Sequence, residues 1–371
     1  MAVYKAARML RDEQQRAEVL AALASHLPNE VYGEVGALGV ERPRAQVWAA
    51  LAPHLPEAAY QLAGTIASEW NRADILSELA PYMPEAVRKA ASGLEQGGPG
   101  AKVWAALAPY LPEVVYETAG TLGEEWQQAQ VLIALAPYQP EAVYEAAKML
   151  ANERQRAKIM VALAPHLPEV VYAAVEELVD DEPRANVISA LAPHLPEKAY
   201  EASKSIGNNW ELAKVLIALV PYLPGTEWEA LRVCETLPEE WEQARILTAL
   251  ASYLPEEVCE AAGGLVRDMR WWPDIMIALA PYLPKAVYDM TEVLEDKVEQ
   301  VRVLATLASQ LPEEERKTKQ REAFRLAESL IDPRRRAHAL VTLTPKLLEE
   351  EREVALHETL RLAKVQADLG S

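Results

Sequence analysis

The chain alternates between two kinds of amphipathic segment along nearly its whole length. In residues 140–167, PEAVYEAAKMLANERQRAKIMVALAPHL, the apolar residues Val143, Ala147 and Leu150 are spaced by four and three positions. This spacing is typical of one face of a helix. A second apolar stripe of the same kind follows the polar segment ANERQ. The pattern predicts two helices of about eleven residues each, joined by a short turn.

This pair of helices recurs at a fixed period that proline marks. Prolines 28 residues apart stand at Pro28, Pro56, Pro84, Pro112, Pro140, Pro168, Pro196 and Pro224, and the series continues at Pro255, Pro284 and Pro312. Proline is well tolerated at the first position of a helix, so each of these residues is expected to begin a first helix. A repeat of this length predicts an all-α fold, an α-solenoid (superhelix) of about eleven to twelve stacked two-helix hairpins.

Comparison of the units with one another predicts the core and the ends. Leucine or isoleucine recurs ten residues after the proline, alanine seventeen and leucine twenty-three residues after it, as at Leu150, Ala157 and Leu163. From Glu313 the units lengthen, and 347–369 has the pattern of a long amphipathic capping helix. We therefore divide the chain into tandem repeats at 1–312 and a divergent last repeat with a C-terminal cap at 313–371. Because the repeat is already in register at Val3, we expect the chain to be part of a larger protein or assembly.

Composition and charge narrow the class of protein. The net charge of −19 argues against a nucleic-acid or membrane-surface partner, since both need a basic face. No apolar run reaches the roughly 18–20 residues of a membrane span, and the N-terminus lacks the pattern of a secretory signal. Two cysteines exclude a disulfide scaffold. We expect a cytoplasmic protein.

Candidate catalytic and metal-binding motifs all have a simpler structural interpretation. The segment GGPGAK at 97–102 lacks the spacing of a phosphate-binding loop, and we interpret it as an inter-helix loop. Histidine and tyrosine alternate at one turn position of successive units, which favours a packing role for the ring. Cys234 and Cys259 replace residues of the repeat and are expected to be buried small side chains. We predict no catalytic residue, no metal and no cofactor.

The tryptophans are the strongest candidates for a binding surface. Trp70, Trp126, Trp210 and Trp241 each stand three residues before the small residue of a second helix, on or beside its packing stripe. Trp271 and Trp272 are adjacent, and adjacent residues on a helix cannot both face one core. At least one of that pair is expected to be exposed, and exposed tryptophans are favoured interface anchors.

The unit PEAVYEAAKMLANERQRAKIMVALAPHL resembles the short helical-hairpin repeats of bacterial α-solenoids, the broad group that includes TPR and HEAT arrays. It is shorter than the roughly 34 residues of a TPR or the roughly 40 of a HEAT repeat. Arrays of ALAPHLPE type are similar to the sensor regions attached to bacterial STAND-type signalling ATPases. That resemblance implies a sensor array whose effector and ATPase parts lie outside this chain.

Three functional hypotheses follow. The first is a non-enzymatic module that binds a protein or peptide on its concave face, with a partner that carries basic patches favoured by the acidic net charge. The second is a structural spacer or oligomerisation scaffold without a small ligand. The third, an enzyme, requires that distant acids or histidines converge on one pocket.

Overall fold

The structure is a stack of two-helix hairpins. The computed structural model describes residues 4, 7, 9–94, 97–264, 271–347, 352–359 and 361. Within these ranges the chain forms α-helices and two short 3₁₀ turns, Val175–Glu177 and Thr344–Lys346, and no strand. The prediction of an all-α solenoid of stacked hairpins is confirmed.

The hairpins consist of a first and a second helix in strict alternation. The second helices are Glu13–Leu23, Glu41–Leu51, Glu69–Leu79, Gly98–Leu107, Glu125–Leu135, Glu153–Leu163, Asp181–Leu191, Asn209–Leu219, Glu240–Leu250, Trp272–Leu279, Lys297–Gln310 and Pro333–Leu343. The first helices are Pro28–Val35, Pro56–Ala63, Pro84–Ala91, Pro112–Ala119, Pro140–Lys148, Pro168–Ala174, Pro196–Ser203, Thr226–Cys234, Pro255–Gly264, Pro284–Thr291 and Glu313–Glu328.

Except for Glu313–Glu328, the first helices are shorter than the eleven residues that the pattern predicted. Proline begins most of them, as expected, but Pro56–Ala63 has eight residues and ends at Gly64. The amide of Ile66 then bonds to the carbonyl of Ala63, which turns the chain tightly. This early end lets the side chain of Ile66 return to the core, where it is almost fully buried.

The predicted core positions are buried. Leu163 and Val143 have no exposed surface, and Ala157 is nearly as inaccessible. The same holds for the equivalent residues of the other regular hairpins. The alanine allows close approach of neighbouring second helices, because it adds little volume between them. Neighbouring regular hairpins therefore share buried residues along their second helices.

The chain divides into two compact units, 1–199 and 200–371. Within the first unit the second helices from Glu13–Leu23 to Asp181–Leu191 pack each on the next. Within the second unit the second helices from Asn209–Leu219 to Pro333–Leu343 do the same. In the described ranges, successive first helices do not pack on one another to a comparable extent. The second helices thus form the tightly packed layer of each unit.

Polar contacts that recur at several joints link one hairpin to the next. The hydroxyl of Tyr60 donates to the carbonyl of Ala86 at 3.1 Å, one hairpin further on. The carboxylate of Glu125 accepts from the amides of Ala151 and Asn152, both at 2.8 Å. Glu13, Glu41 and Glu153 make the same kind of contact at their joints. These four glutamates therefore have a structural role.

The C-terminal cap is described only in part. Residues 352–359 and 361 are helical, whereas Leu347 is not. The remainder of the predicted capping helix at 347–369 lies outside the described residues. The side chain of Arg336 donates to the carbonyl of Leu330 at 2.8 Å and pairs with Glu358 at 3.4 Å, which ties 352–359 to the last hairpin.

Candidate binding surface

Four of the six candidate tryptophans lie at one register on the second helices. Trp70, Trp126, Trp210 and Trp241 are each the second residue of their helix. Their rings are not core residues: Trp70 is 57% exposed, Trp126 45% and Trp241 37%. Trp210 is partly exposed. We define the second-helix face by three positions of each second helix: three residues before, one residue after and four residues after its small core residue.

In the first unit, two of these tryptophans converge on a glycine. Gly98 occupies the same register as Trp70 and Trp126, one repeat away from each. A methyl group on Gly98 would lie 2.6 Å from Cη2 of Trp70 and 3.0 Å from Cη2 of Trp126. Only glycine leaves room for the ring of Trp70 in this position, because real Cβ contacts are not that short.

This arrangement corrects the interpretation of the glycine-rich segment. Residues 98–100 are not part of an inter-helix loop: they form the first turn of the helix Gly98–Leu107. Alignment of the units places Gly98 where its neighbours carry tryptophan. Glycine in place of tryptophan at this position was the sequence signal that the segment packs against the neighbouring aromatic rings.

In the second unit, the tryptophans form a cluster with cations. The ring centroids of Trp210 and Trp241 are 5.2 Å apart, with the rings inclined at 62°. The ammonium of Lys214 lies 5.7 Å from the centroid of Trp210, and the guanidinium of Arg245 lies 5.5 Å from it. Both distances fall within the range of a cation–π interaction.

The adjacent tryptophans of the second unit have opposite environments. Trp272 is 2% exposed, and its indole Nε1 donates to the carbonyl of Ala262 at 2.9 Å. Trp271 is 37% exposed. The expectation that at least one of the pair is exposed therefore agrees with the structure. Trp272 itself is a core residue, and we remove it from the candidate surface because its ring has no face open to a partner.

Two grooves run between neighbouring second helices on this face. One, of about 660 Å³, lies between Glu240–Leu250 and Trp272–Leu279, and its lining includes Trp241, Arg245, Trp271 and Asp274. The other, of about 480 Å³, lies between Glu153–Leu163 and Asp181–Leu191. Its lining includes Lys158 and Val161. Both volumes are in the range of small-ligand and side-chain pockets.

The residues considered as metal ligands or nucleophiles are not arranged for either role in the described part of the chain. Within these ranges, no three side chains of His, Cys, Asp or Glu are placed to hold a metal ion together. Cys234 is buried, and desolvation raises the pKa of its thiol to about 12. Burial also raises the pKa of Cys259. A thiol with a raised pKa is a weak nucleophile, because the thiolate is the reactive form.

Hydrogen bonds at the joints lower the pKa of two glutamates beside this face. The amides of Val40 and Gly39 lower the pKa of Glu13, and the amide of Ser68 with the side chain of Asn71 lowers that of Glu41. Each bond favours the charged carboxylate. These glutamates are ionised as structural links between hairpins.

Comparison with known proteins does not assign the chain to a family. No protein-family model matches the chain, and no curated protein matches it. The chain is similar to a solved structure described as a "Circular tandem repeat protein with novel repeat topology and enhanced subunit contact surfaces". The two are 18% identical, the match covers 100% of this chain and 90% of the other, and the TM-score is 0.20. At that TM-score the likeness adds nothing to the description of the fold, which rests on the helices themselves. No helix in the described ranges has the length and apolar character that a membrane crossing requires.

Proposed function

We propose that this chain is a non-enzymatic repeat module that binds a protein or peptide on its second-helix face. The observation that carries the proposal is the recurrence of half-exposed tryptophans at one register of that face, in both compact units. Large aromatic side chains cost free energy when they stay in water, and they are over-represented among the residues that dominate binding.

The packing of the helices supports this choice of face. In each unit the second helices pack on one another, whereas successive first helices in the described ranges do not do so to a comparable extent. A stack whose layers are packed unequally curves toward its tighter layer. We therefore place the ligand on the second helices, as the concave side of each unit.

A structural spacer is the second candidate. It is favoured by the polar contacts that join successive hairpins, such as the bonds from Ala151 and Asn152 to Glu125. Such contacts stiffen an array whether or not it binds a ligand. The spacer hypothesis gives the exposed tryptophans no role. The two candidates therefore differ in whether substitution of these tryptophans abolishes the binding of a partner.

The test compares three forms of the full chain in affinity capture from a lysate of the source organism, with quantitative mass spectrometry. The first is the natural sequence. The second carries Trp70→Ala, Trp126→Ala, Trp241→Ala and Trp271→Ala. The third, a matched control, carries Trp228→Ala, which removes a 48% exposed tryptophan from a first helix. Circular dichroism verifies that all three forms are equally helical.

We expect one or more proteins to be captured by the natural chain and by the control, and to be depleted at least about tenfold with the fourfold variant. Equal capture by all three forms would contradict the proposed surface. Light scattering that shows concentration-dependent self-association, unaffected by the four substitutions, would favour the scaffold hypothesis instead.

A further inference from the structure

The second-helix face does not share the acidic character of the whole chain. The difference is visible at one of the three positions that define this face, the residue that follows the small core residue of each second helix. Among the twelve second helices it carries five cations and only three carboxylates: Lys102, Lys158, Lys214, Arg245 and Arg302 against Glu18, Asp74 and Asp274. The net charge of the chain is −19. The acidic excess therefore lies elsewhere, and this row of the face is weakly basic.

Three of the five cations are already paired with a carboxylate. Lys102 bonds to Asp74 at 2.5 Å, Lys214 bonds to Glu211 at 2.7 Å, and Arg302 bonds to Asp274. In the described part of the chain, Lys158 and Arg245 have no carboxylate within ion-pair distance. These two are also the members of the row that line the two grooves. Each of these two grooves thus has one cation without a carboxylate partner among the described residues.

The groove of the second unit combines this cation with an aromatic wall. Trp241 and Trp271 both line it, and Ala244, Ile277 and Ala278 supply apolar surface. Asp274 is the carboxylate of the lining, and it pairs with Arg302, which also bonds to Glu299 at 3.1 Å. Arg245 is held near the ring of Trp210, 5.5 Å from its centroid. The groove therefore offers apolar contact and, in Arg245, a charged hydrogen-bond donor that no carboxylate of the described residues engages.

We infer that the groove between Trp241 and Trp271 binds an acidic peptide segment in which a carboxylate stands next to a large apolar side chain. The apolar side chain packs between the two indole rings, and the carboxylate accepts hydrogen bonds from the guanidinium of Arg245. Arginine suits this role because its planar fork matches a carboxylate. The inference rests on the proposed function and reverses the preference for a basic partner that the net charge suggested.

A peptide is favoured over a nucleic acid for this groove. Both ligands carry negative charge, but a nucleic acid presents one phosphate after another to the surrounding surface. A chain with a net charge of −19 repels such a polyanion at long range, and one uncompensated arginine does not offset that repulsion. A short peptide segment with a single carboxylate is repelled much less by the whole chain, and its carboxylate interacts mainly with the charges that line the groove.

The test uses a random dodecapeptide library displayed on phage, panned against the immobilised full chain at low salt. Selected peptides are synthesised with a fluorophore and titrated by anisotropy against four forms. These are the natural chain, Trp241→Ala with Trp271→Ala, Arg245→Glu, and Arg232→Glu. Arg232 is an exposed arginine of the first helix Thr226–Cys234 in the same unit, so its reversal is matched in charge but lies outside the groove.

We expect the selected peptides to carry Asp or Glu beside an aromatic or large aliphatic residue. Their affinity should fall about tenfold or more with Arg245→Glu and with the paired tryptophan substitution, and change less than about twofold with Arg232→Glu. Raised salt should weaken binding to the natural chain. Circular dichroism confirms that each variant is folded.

The remaining outcomes overturn the inference and separate it from the proposed function. Selected peptides that need the two tryptophans but are basic or uncharged, or that are indifferent to Arg245→Glu, would remove the acidic partner and leave the binding face intact. An oligothymidylate that displaces the selected peptides at comparable concentration would reassign the groove to a nucleic acid. A selection that yields no peptide dependent on Trp241 or Trp271 would overturn both proposals for this unit.

Discussion

The adjacent residues Trp271 and Trp272 allow a sharp test of the structure, because the same substitution has opposite consequences at the two sites. Trp272 is 2% exposed, and its Nε1 donates to the buried carbonyl of Ala262 at 2.9 Å. Phenylalanine at this position keeps an aromatic ring in the core but removes the donor. The carbonyl of Ala262 then lacks this partner in a site closed to water.

The expected cost follows from these two losses. A buried acceptor left without its partner costs about 1–3 kcal/mol, and the smaller ring forfeits about 1 kcal/mol of apolar burial. Trp272→Phe should therefore destabilise its surroundings by about 2–4 kcal/mol. Trp271→Phe should cost less than about 1 kcal/mol, because Trp271 is 37% exposed and the smaller ring keeps its contacts with neighbouring helices.

Hydrogen exchange measured by mass spectrometry detects this difference locally. Peptides that cover Pro255–Gly264 and Trp272–Leu279 report on the site, and peptides from Asn209–Leu219 are an internal reference. A cost of about 2–4 kcal/mol corresponds to exchange faster by about 30- to 1,000-fold in Trp272→Phe. Equal protection in the two variants, or a larger effect of Trp271→Phe, would refute the assignment of Trp272 to the core.

Three further predictions test the stack itself. Leu163→Ala should cost about 3–5 kcal/mol in urea unfolding, and Met149→Ala less than about 0.5, because Leu163 is fully buried whereas Met149 is 85% exposed. The pKa of Glu41 is lower in the folded chain, so its stabilising contribution is present above about pH 4.5 and is lost as the pH falls through the folded value. Exchange at the amide of Ser68 should then accelerate as the pH is lowered below about 4.5, and protection that stays constant down to acid unfolding, after correction for the intrinsic rate, would contradict this. Cys234 should resist iodoacetamide at pH 8 until urea is added, and rapid alkylation of the native chain would disagree with its pKa of about 12.

The repeat contacts explain why so many charged residues carry no information about a partner. Arg72 donates through Nε at 3.2 Å to the carbonyl of Ile66, and Arg336 donates through Nε at 2.8 Å to that of Leu330, at the equivalent place in another hairpin. Both side chains satisfy a carbonyl in the turn between two helices. Charges that remain outside these structural bonds, such as Arg245, are the more informative ones.

Local sequence signals were sufficient for the hairpins. Pro140 begins a helix, a position that suits proline because its missing N–H has no partner in the first turn. The spacing of Val143 and Ala147 specifies one buried face, and both residues are buried as predicted. The repetition of these signals at a fixed period predicted the stack, because one hairpin alone cannot bury enough apolar surface.

Only the tertiary structure decided which residues form the surface. The sequence placed Trp271 and Trp272 together without distinguishing them, because the core that accepts Trp272 includes Ala262 of the preceding helix. It placed Gly98 at the register of Trp70, but the contact between that ring and Gly98, which joins two hairpins, came from the tertiary structure. The net charge suggested a basic partner, yet pairs such as Arg302 with Asp274 and the bonds of Glu125 determine which charges stay uncompensated. Periodicity specifies what each hairpin buries, whereas contacts between hairpins specify what the stack leaves exposed.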